Sequence, residues 1–267
     1  MLGKLLKYDL KYGVRIFIIL HAILLTACVL GRFLFMDKLD FQAEPDIIFS
    51  VIAPFFALFV VLFSTISLGT LALLAVRFYK NLFTDEGYLS WTLPATSTQQ
   101  IWAKILSGAV WYILDILISV ISLAILVTGN NVTTAYAKVA PEFTAALGMP
   151  LEHYSLIILL FTLASTVSSI IMIYMCIAVG QLFPGHRVLG SILAYFILST
   201  VIQVVVLGLM FAFNMFPYIY TNNVTVEMNA TEIMLSIFKL SGGISFISTI
   251  LEYIAMHHIL SKKLNLI

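Results

Sequence analysis

Six long apolar segments are the feature that most constrains the fold of this 267-residue chain. The hydrocarbon core of a bilayer is about 30 Å thick, and a helix needs roughly 20 apolar residues to cross it. Segments of at least that length lie at residues 14–35, 47–76, 105–128, 155–183, 188–213 and 235–260. No stretch between them is both polar and long enough to form a soluble domain. The sequence therefore predicts an all-α, polytopic membrane protein in which residues 1–267 form a single transmembrane domain.

Composition supports the same fold class. Hydrophobic residues make up 61% of the chain and charged residues only 10%, whereas soluble domains carry about a quarter charged residues. The formal net charge is +1, so no strongly basic surface favours a nucleic-acid partner. The two cysteines, Cys28 and Cys176, lie inside apolar segments and are expected to be packing thiols.

Basic residues are distributed unevenly between the two sides of the predicted membrane. If the N-terminus is inside, ten of the fourteen lysines and arginines fall on the cytosolic side. Cytosolic segments of membrane proteins carry an excess of these residues. The asymmetry therefore predicts that the N-terminus and the C-terminus are both cytosolic.

Residues 1–13 predict a short helix lying in the membrane interface. Leucines at helical spacing fall on one side and lysines on the other, namely Leu2, Leu5, Leu6 and Leu10 against Lys4, Lys7 and Lys11. In such a helix the lysines would face anionic headgroups while the leucines enter the apolar boundary. An unstructured basic flank before the first span is the alternative.

No arrangement of residues in the sequence indicates catalysis or metal binding. The Leu-Ser-Gly-Gly sequence at 240–243 matches the signature loop of ABC ATPases, but the chain has no Gly-rich phosphate cradle ending in Gly-Lys-Ser/Thr. His257 and His258 are adjacent, so on a helix their side chains point in different directions and do not share a tetrahedral metal site. We therefore expect a protein that is not an enzyme and has no catalytic residue, metal or cofactor of its own.

Polar residues at membrane depth are candidates for a transport pathway. Asp115 lies near the middle of the third apolar segment, Gln203 lies in the fifth and Glu252 in the sixth. Because an ionised group is costly at the bilayer centre, such residues mark a polar path, a proton-linked site, an interhelical hydrogen bond or a pair at a dimer interface. A proton-coupled secondary transporter that uses Asp115 and Glu252 is accordingly the alternative function.

Residues 77–104 form the longest polar interruption on the predicted cytosolic side. This segment reads Phe-Thr-Asp-Glu-Gly-Tyr-Leu at 83–89, Thr-Leu-Pro at 92–94 and Gln-Gln-Ile-Trp-Ala-Lys at 99–104. Placed after a long second span, it resembles the corresponding segment of permease subunits of type 2 ABC exporters, which are bacterial transporters whose ATPase is a separate chain. The basic N-terminus and the six spans fit the same family, so the resemblance covers nearly the whole chain, although only residues 83–94 are specific to it.

The resemblance implies that the segment contains a coupling helix that docks on the ATPase. The docking residues it assigns are Phe83, Thr84, Asp85, Glu86, Gly87, Tyr88, Leu89 and Trp91. Aromatic and aliphatic anchors beside an acidic rim have the composition of a protein contact. A segment that lies on the lipid headgroups, with its aromatic side chains as interfacial anchors, is the alternative.

The same resemblance implies a set of partners and a location. The partners are two ABC ATPase subunits, which carry ATP and Mg, and a second permease chain, identical or different. The location is the bacterial plasma membrane. Apolar and aromatic faces along the expected pathway favour an amphipathic peptide or a lipophilic drug as the exported substrate. A membrane scaffold or immunity protein that transports nothing is a further possibility that the sequence leaves open.

Overall fold

The computed structural model describes residues 1–41, 45–213, 215 and 230–262. Every regular element within these ranges is a helix. In chain order the elements are α1 (Leu2–Leu34), a 3-10 turn (Met36–Lys38), α2 (Pro45–Phe83), α3 (Asp85–Thr92), α4 (Ser97–Val127), α5 (Asn130–Leu147), α6 (Leu151–Gly180), α7 (Arg187–Ala212) and α8 (Ala230–Lys262). The predicted connection at 214–234 lies mostly outside the described residues.

Six of these helices, namely α1, α2, α4, α6, α7 and α8, are long and apolar enough to cross a membrane. A helix satisfies its backbone hydrogen bonds internally, which is why it is one of the few structures stable in lipid. The prediction of an all-α chain with six candidate spans is confirmed to this extent, and the fold is compatible with a multi-pass membrane protein. The expected excess length of the second span is also present, since α2 has 39 residues and continues through Pro54.

Residues 1–13 do not form a separate helix. Helix α1 runs unbroken from Leu2 to Leu34, so the basic N-terminal turns continue directly into the first candidate span. The expected junction falls at Gly13, which is buried within α1. A single glycine weakens a helix without breaking it, and nothing beside Gly13 interrupts the hydrogen-bond ladder. The prediction of an independent interfacial helix is therefore not supported.

The connection between the third and fourth apolar segments, residues 129–154, contains the 18-residue helix α5. Its start is rich in asparagine and threonine, and Thr133 and Thr134 donate their hydroxyls to backbone carbonyls of the preceding turn. The helix ends at Gly148, whose φ of 69° lies in the left-handed region that glycine adopts without strain. The asparagines and threonines at 130–134 thus lie in the first turns of a helix, which begins after Gly129 without a side-chain cap.

Packing is densest along α1 and α4, which form the most extensive helix–helix contact, while α6 packs against both α7 and α8. Stacked rings contribute to this packing: the ring centroids of Phe17 and Trp111 lie 3.9 Å apart between α1 and α4, and those of Phe78 and Tyr174 lie 4.0 Å apart between α2 and α6. In contrast, the described part of α7 buries only Gly190 and Met210. The bundle therefore has a tightly packed side and a side with exposed apolar faces.

Candidate functional site

Helices α1 and α4 run parallel to each other in one constant register. Asp9 contacts Lys104, 95 residues later, and Arg32 contacts Ile125 and Thr128, 93 and 96 residues later. Because this offset is the same near both ends, the two helices lie side by side over their full length. We call the face where α1 and α4 begin the N-terminal face.

A cluster of four charged residues, Asp9, Arg77, Glu86 and Lys104, lies at the N-terminal face and is called here the Asp9 cluster. Asp9 Oδ1 accepts hydrogen bonds from Lys104 Nζ at 2.5 Å and from Arg77 Nε at 3.3 Å. Arg77 Nη1 also donates to Glu86 Oε2 at 3.3 Å. Asp9 and Lys104 are both buried, and a buried charge is tolerated when it is paired. The cluster therefore joins α1, α2, α3 and α4 through one balanced set of charges.

The short helix α3 is attached to its neighbours by two further hydrogen bonds. Trp91 Nε1 donates to the Leu82 carbonyl of α2 at 3.1 Å, and the buried Gln100 Nε2 of α4 donates to the Ser90 carbonyl at 2.7 Å. Breaking a buried hydrogen bond of this kind costs free energy because the donor and the acceptor are left without a partner and without water. One side of α3 is thus held firmly against the ends of α2 and α4.

The structure divides the eight predicted docking residues between the two sides of this segment. Phe83 is 5% exposed and packs against Phe78, so it belongs to the core of the chain. Gly87 is buried and Trp91 is half-buried, while Thr84 is half-buried and precedes α3. The exposed members are Asp85, Glu86, Tyr88 and Leu89, of which Leu89 is 73% exposed. Of the apolar residues predicted to anchor a partner, Tyr88 and Leu89 are therefore exposed, whereas Phe83 is buried and Trp91 is half-buried.

Within the bundle, Asp115 is paired with a histidine. Asp115 Oδ1 of α4 lies 2.8 Å from His21 Nε2 of α1, and both side chains are almost fully buried. The other ring nitrogen, His21 Nδ1, lies 2.7 Å from the Phe17 carbonyl one turn earlier. At this distance the carboxylate and the imidazole form an ion pair when His21 is protonated, but neither oxygen of Asp115 nor His21 Nε2 makes a hydrogen bond of good geometry among the described residues.

The other two intramembrane candidates have different surroundings. Glu252 of α8 is 4% exposed, yet its Oε1 has no hydrogen-bond partner among the described residues. Gln203 of α7 is exposed on the surface of the bundle. No hydrogen bond or ion pair joins Asp115 to Glu252 within the described residues. The structure therefore does not bring the three candidates into one polar path.

Several residues of this arrangement were not identified from the sequence. Neither the Asp9 cluster nor the contact of His21 with Asp115 was predicted, and Gln100 was noted only as part of the segment at 99–104. The available signal was the constant register, because Asp9 and Lys104 lie equally far from the starts of α1 and α4. Two helices that enter the membrane from one side bring residues of equal depth together.

Within the part of the chain that the structure describes, no group of three or more His, Cys, Asp or Glu residues could hold a metal ion. His257 instead lies with its Nε2 at 3.2 Å from the hydroxyl of Thr98.

The comparisons with known proteins give no family for the chain. No family model matches it, no curated protein matches it, and no solved structure matches it. The type 2 exporter family is therefore a resemblance carried by residues 83–94 and by the six candidate spans, and the function of the chain is a proposal.

Proposed function

We propose that this chain is the membrane-spanning subunit of an ATP-driven exporter of the bacterial plasma membrane, with both termini in the cytosol. Two such permease chains, identical or related, would form the pathway between them. Two separate ABC ATPase subunits would dock at the N-terminal face and hold ATP and Mg. The substrate class is an amphipathic peptide or a lipophilic drug.

The observation that carries the proposal is the placement of α3. This helix lies between two candidate spans, and Trp91 and Gln100 fix one of its sides to α2 and α4. Its other side exposes Tyr88 and Leu89 beside Asp85. An apolar centre with a charged rim is the composition of a protein contact. The two acids of its first turn also suit the positive end of the helix.

The attachment of α3 supports its role as a coupling helix. A push on a loosely held segment would be absorbed by local motion. Here Glu86 is joined through Arg77 to Asp9, and Asp9 is joined to Lys104. Displacement of α3 by the ATPase would consequently displace α1, α2 and α4 with it. A bundle with two stable packing arrangements would convert that displacement into opening of the pathway.

Site-specific crosslinking tests this docking surface. The two native cysteines are buried, so a cysteine introduced at Leu89 would be the accessible one. The matched control is Leu182, which is exposed in the turn between α6 and α7 on the same face. In membranes of the native host, we expect Leu89→Cys to crosslink to a chain that hydrolyses ATP, whereas Leu182→Cys does not.

Charge substitution tests the coupling itself. We expect Leu89→Asp to lower substrate-stimulated ATP hydrolysis of the purified assembly at least about tenfold, because a central contact residue is lost, while Leu182→Asp leaves it unchanged. Glu86→Lys should also uncouple hydrolysis from transport, but it additionally breaks the 3.3 Å pair with Arg77. The Leu89 variant is therefore the cleaner test. Equal ATPase activity in both leucine variants would contradict the docking assignment.

A proton-coupled secondary transporter is the second candidate, and the buried His21–Asp115 contact of 2.8 Å favours it. Such a carrier works without an ATPase. Transport by the purified chain in liposomes, driven by a pH gradient alone and abolished by Asp115→Asn, would establish it. Transport that needs ATP and a second polypeptide would exclude it.

A further inference from the structure

The cavity between α6, α7 and α8 combines an apolar lining with one buried carboxyl group. Its volume is about 540 Å³, and its walls include Met175 of α6, Val205 of α7 and Leu251 of α8. Ligand sites in proteins have volumes of roughly 300–1,000 Å³ and are mostly apolar with a few placed polar groups. The size and the lining are therefore those of a site for one drug-sized molecule.

Glu252 is the charged residue in the wall of this cavity. Its side chain is more than nine-tenths buried, and its Oε1 has no hydrogen-bond partner among the described residues. No cation of the described chain pairs with it, because the ion pairs there involve Asp9, Asp37, Glu86 and Asp115. An ionised carboxylate in such surroundings is costly unless a positive charge approaches it.

The cavity is accessible from the side of the bundle. Val201, Ile247 and Leu251 belong to its walls, and each of these side chains is more than half exposed. On a single chain in a membrane, these exposed side chains would contact lipid tails. A molecule dissolved in the membrane would therefore reach the cavity without crossing water.

From these three observations we infer that the α6–α8 cavity binds a monovalent lipophilic cation, with Glu252 as its counter-ion. The apolar walls accept the hydrophobic body of the ligand, and the carboxylate accepts its charge. A lipid tail fits the walls but leaves the carboxylate unpaired, and a lipophilic anion is repelled by it. The inference deepens the proposed function, on which it rests, by assigning the drug class and the residue that recognises it.

Tetraphenylphosphonium and tetraphenylborate form a matched pair of probes, because they have nearly the same shape and opposite charge. Binding of each is measured separately by equilibrium dialysis to the purified chain in nanodiscs of zwitterionic lipid, with empty nanodiscs subtracted. We expect saturable binding of the phosphonium and no saturable binding of the borate. Equal binding of the two ions would overturn the inference, because the cavity would then be a merely apolar space. Absence of saturable phosphonium binding would overturn it as well, whether a lipid tail or a second copy of the chain fills the cavity.

Variants locate the site within the chain. Glu252→Gln should weaken phosphonium binding at least about tenfold, as expected when one partner of a close charge pair is lost, and Glu252→Asp should retain part of the affinity. Gln203→Leu is the control, because Gln203 is exposed on α7 and does not line the cavity. Unchanged affinity in Glu252→Gln would overturn the assignment of the carboxylate.

A second variant, which retains Glu252, provides a test that does not depend on correct folding of Glu252→Gln. Ala255 lines the cavity one turn from Glu252, so Ala255→Phe should fill the space and abolish phosphonium binding while Glu252 is retained. Full binding in this variant would place the ligand elsewhere and overturn the inference.

These binding measurements use the chain without an ATPase, so they are independent of the coupling tests at Leu89. If the coupling tests at Leu89 fail while phosphonium binding is intact, the proposed exporter is contradicted and the binding site at the cavity is supported. If the coupling tests succeed while phosphonium does not bind, the binding site is contradicted and the proposed exporter is supported.

Discussion

The α1–α4 pair and the α6–α8 group differ in whether their buried charged residues have partners. Between α1 and α4, Asp9 contacts Lys104 and His21 contacts Asp115. On the other side, Glu252 is equally buried but has no partner among the described residues. Since an unpaired buried charge costs more than a paired one, the difference separates a structural role from a binding role. The paired side holds the chain together, and the unpaired side is open to a ligand.

Removing the centre of the Asp9 cluster should have the largest effect on stability. Asp9→Leu leaves Lys104 buried without its counter-charge and removes one of the two carboxylates paired with Arg77, which should lower the free energy of unfolding by about 3–5 kcal/mol. Unfolding in mixed detergent micelles measures the change. The double variant Asp9→Leu with Lys104→Met should recover most of it, because no lone charge remains. A fully stable Asp9→Leu variant would show that the α1–α4 side does not depend on paired charge.

Helices α6 and α7 approach each other closely at Gly180, so the α6–α8 side is not loosely packed throughout. A Cβ atom added to Gly180 of α6 would lie 2.0 Å from Ser191 Oγ and 2.5 Å from the Arg187 carbonyl oxygen of α7. Gly180→Ala should therefore destabilise the chain by about 2 kcal/mol through overpacking. The control is Gly208→Ala, where no atom lies within 4 Å of the added Cβ, and the better helix propensity of alanine makes a small stabilisation the expected result. Equal thermal unfolding midpoints for the two variants would contradict the close approach of α6 and α7.

A double-mutant cycle measures the pairing of His21 with Asp115. The variants are His21→Leu, Asp115→Leu and the double substitution. We expect a coupling free energy of about 1–2 kcal/mol, as found for residues in direct contact. Each single variant leaves one buried polar group unsatisfied, so the double variant should be more stable than the two single changes predict. Additive effects would mean that the 2.8 Å contact contributes no stability.

Glu252→Gln should have the smallest effect on stability. No ion pair is lost, so the free energy of unfolding should change by less than about 0.5 kcal/mol, in contrast to the Asp9 variant. The unfolding assay used for Asp9→Leu serves here as well. A loss comparable to that of Asp9→Leu would reveal a structural partner of Glu252 and remove the distinction between the two sides.

Much of the fold follows from the sequence because the length and the polarity of each segment determine whether it forms a candidate span. The six apolar segments predicted the six candidate spans, since a long run of apolar residues has few stable alternatives to a membrane helix. The short helix between the second and third spans lies where the polar segment 77–104 falls. In contrast, the helix at 130–147 was not predicted, although Val132, Tyr136, Val139 and Phe143 repeat at helical spacing. The threonines and asparagines at its start obscured that period.

The candidate site was less accessible from the sequence. Asp115 and Glu252 are both single acids in apolar segments, and the pattern did not show which of them has a partner. Their difference depends on the neighbouring helices: α1 brings His21 to Asp115, whereas α6 and α7 bring only apolar walls to Glu252. Likewise, Phe83 and Leu89 belong to one apolar set in the sequence, yet one is 5% and the other 73% exposed.

The sequence by itself determined the class of the protein, the number of candidate spans and the position of the polar segment between the second and third of them. These properties depend on how many apolar residues follow one another, and that number can be read directly from the sequence. Only the tertiary structure decided which buried charges are paired and which one faces a cavity. Pairing depends on the register and direction of neighbouring helices, and residues almost a hundred positions apart meet only after the helices have packed.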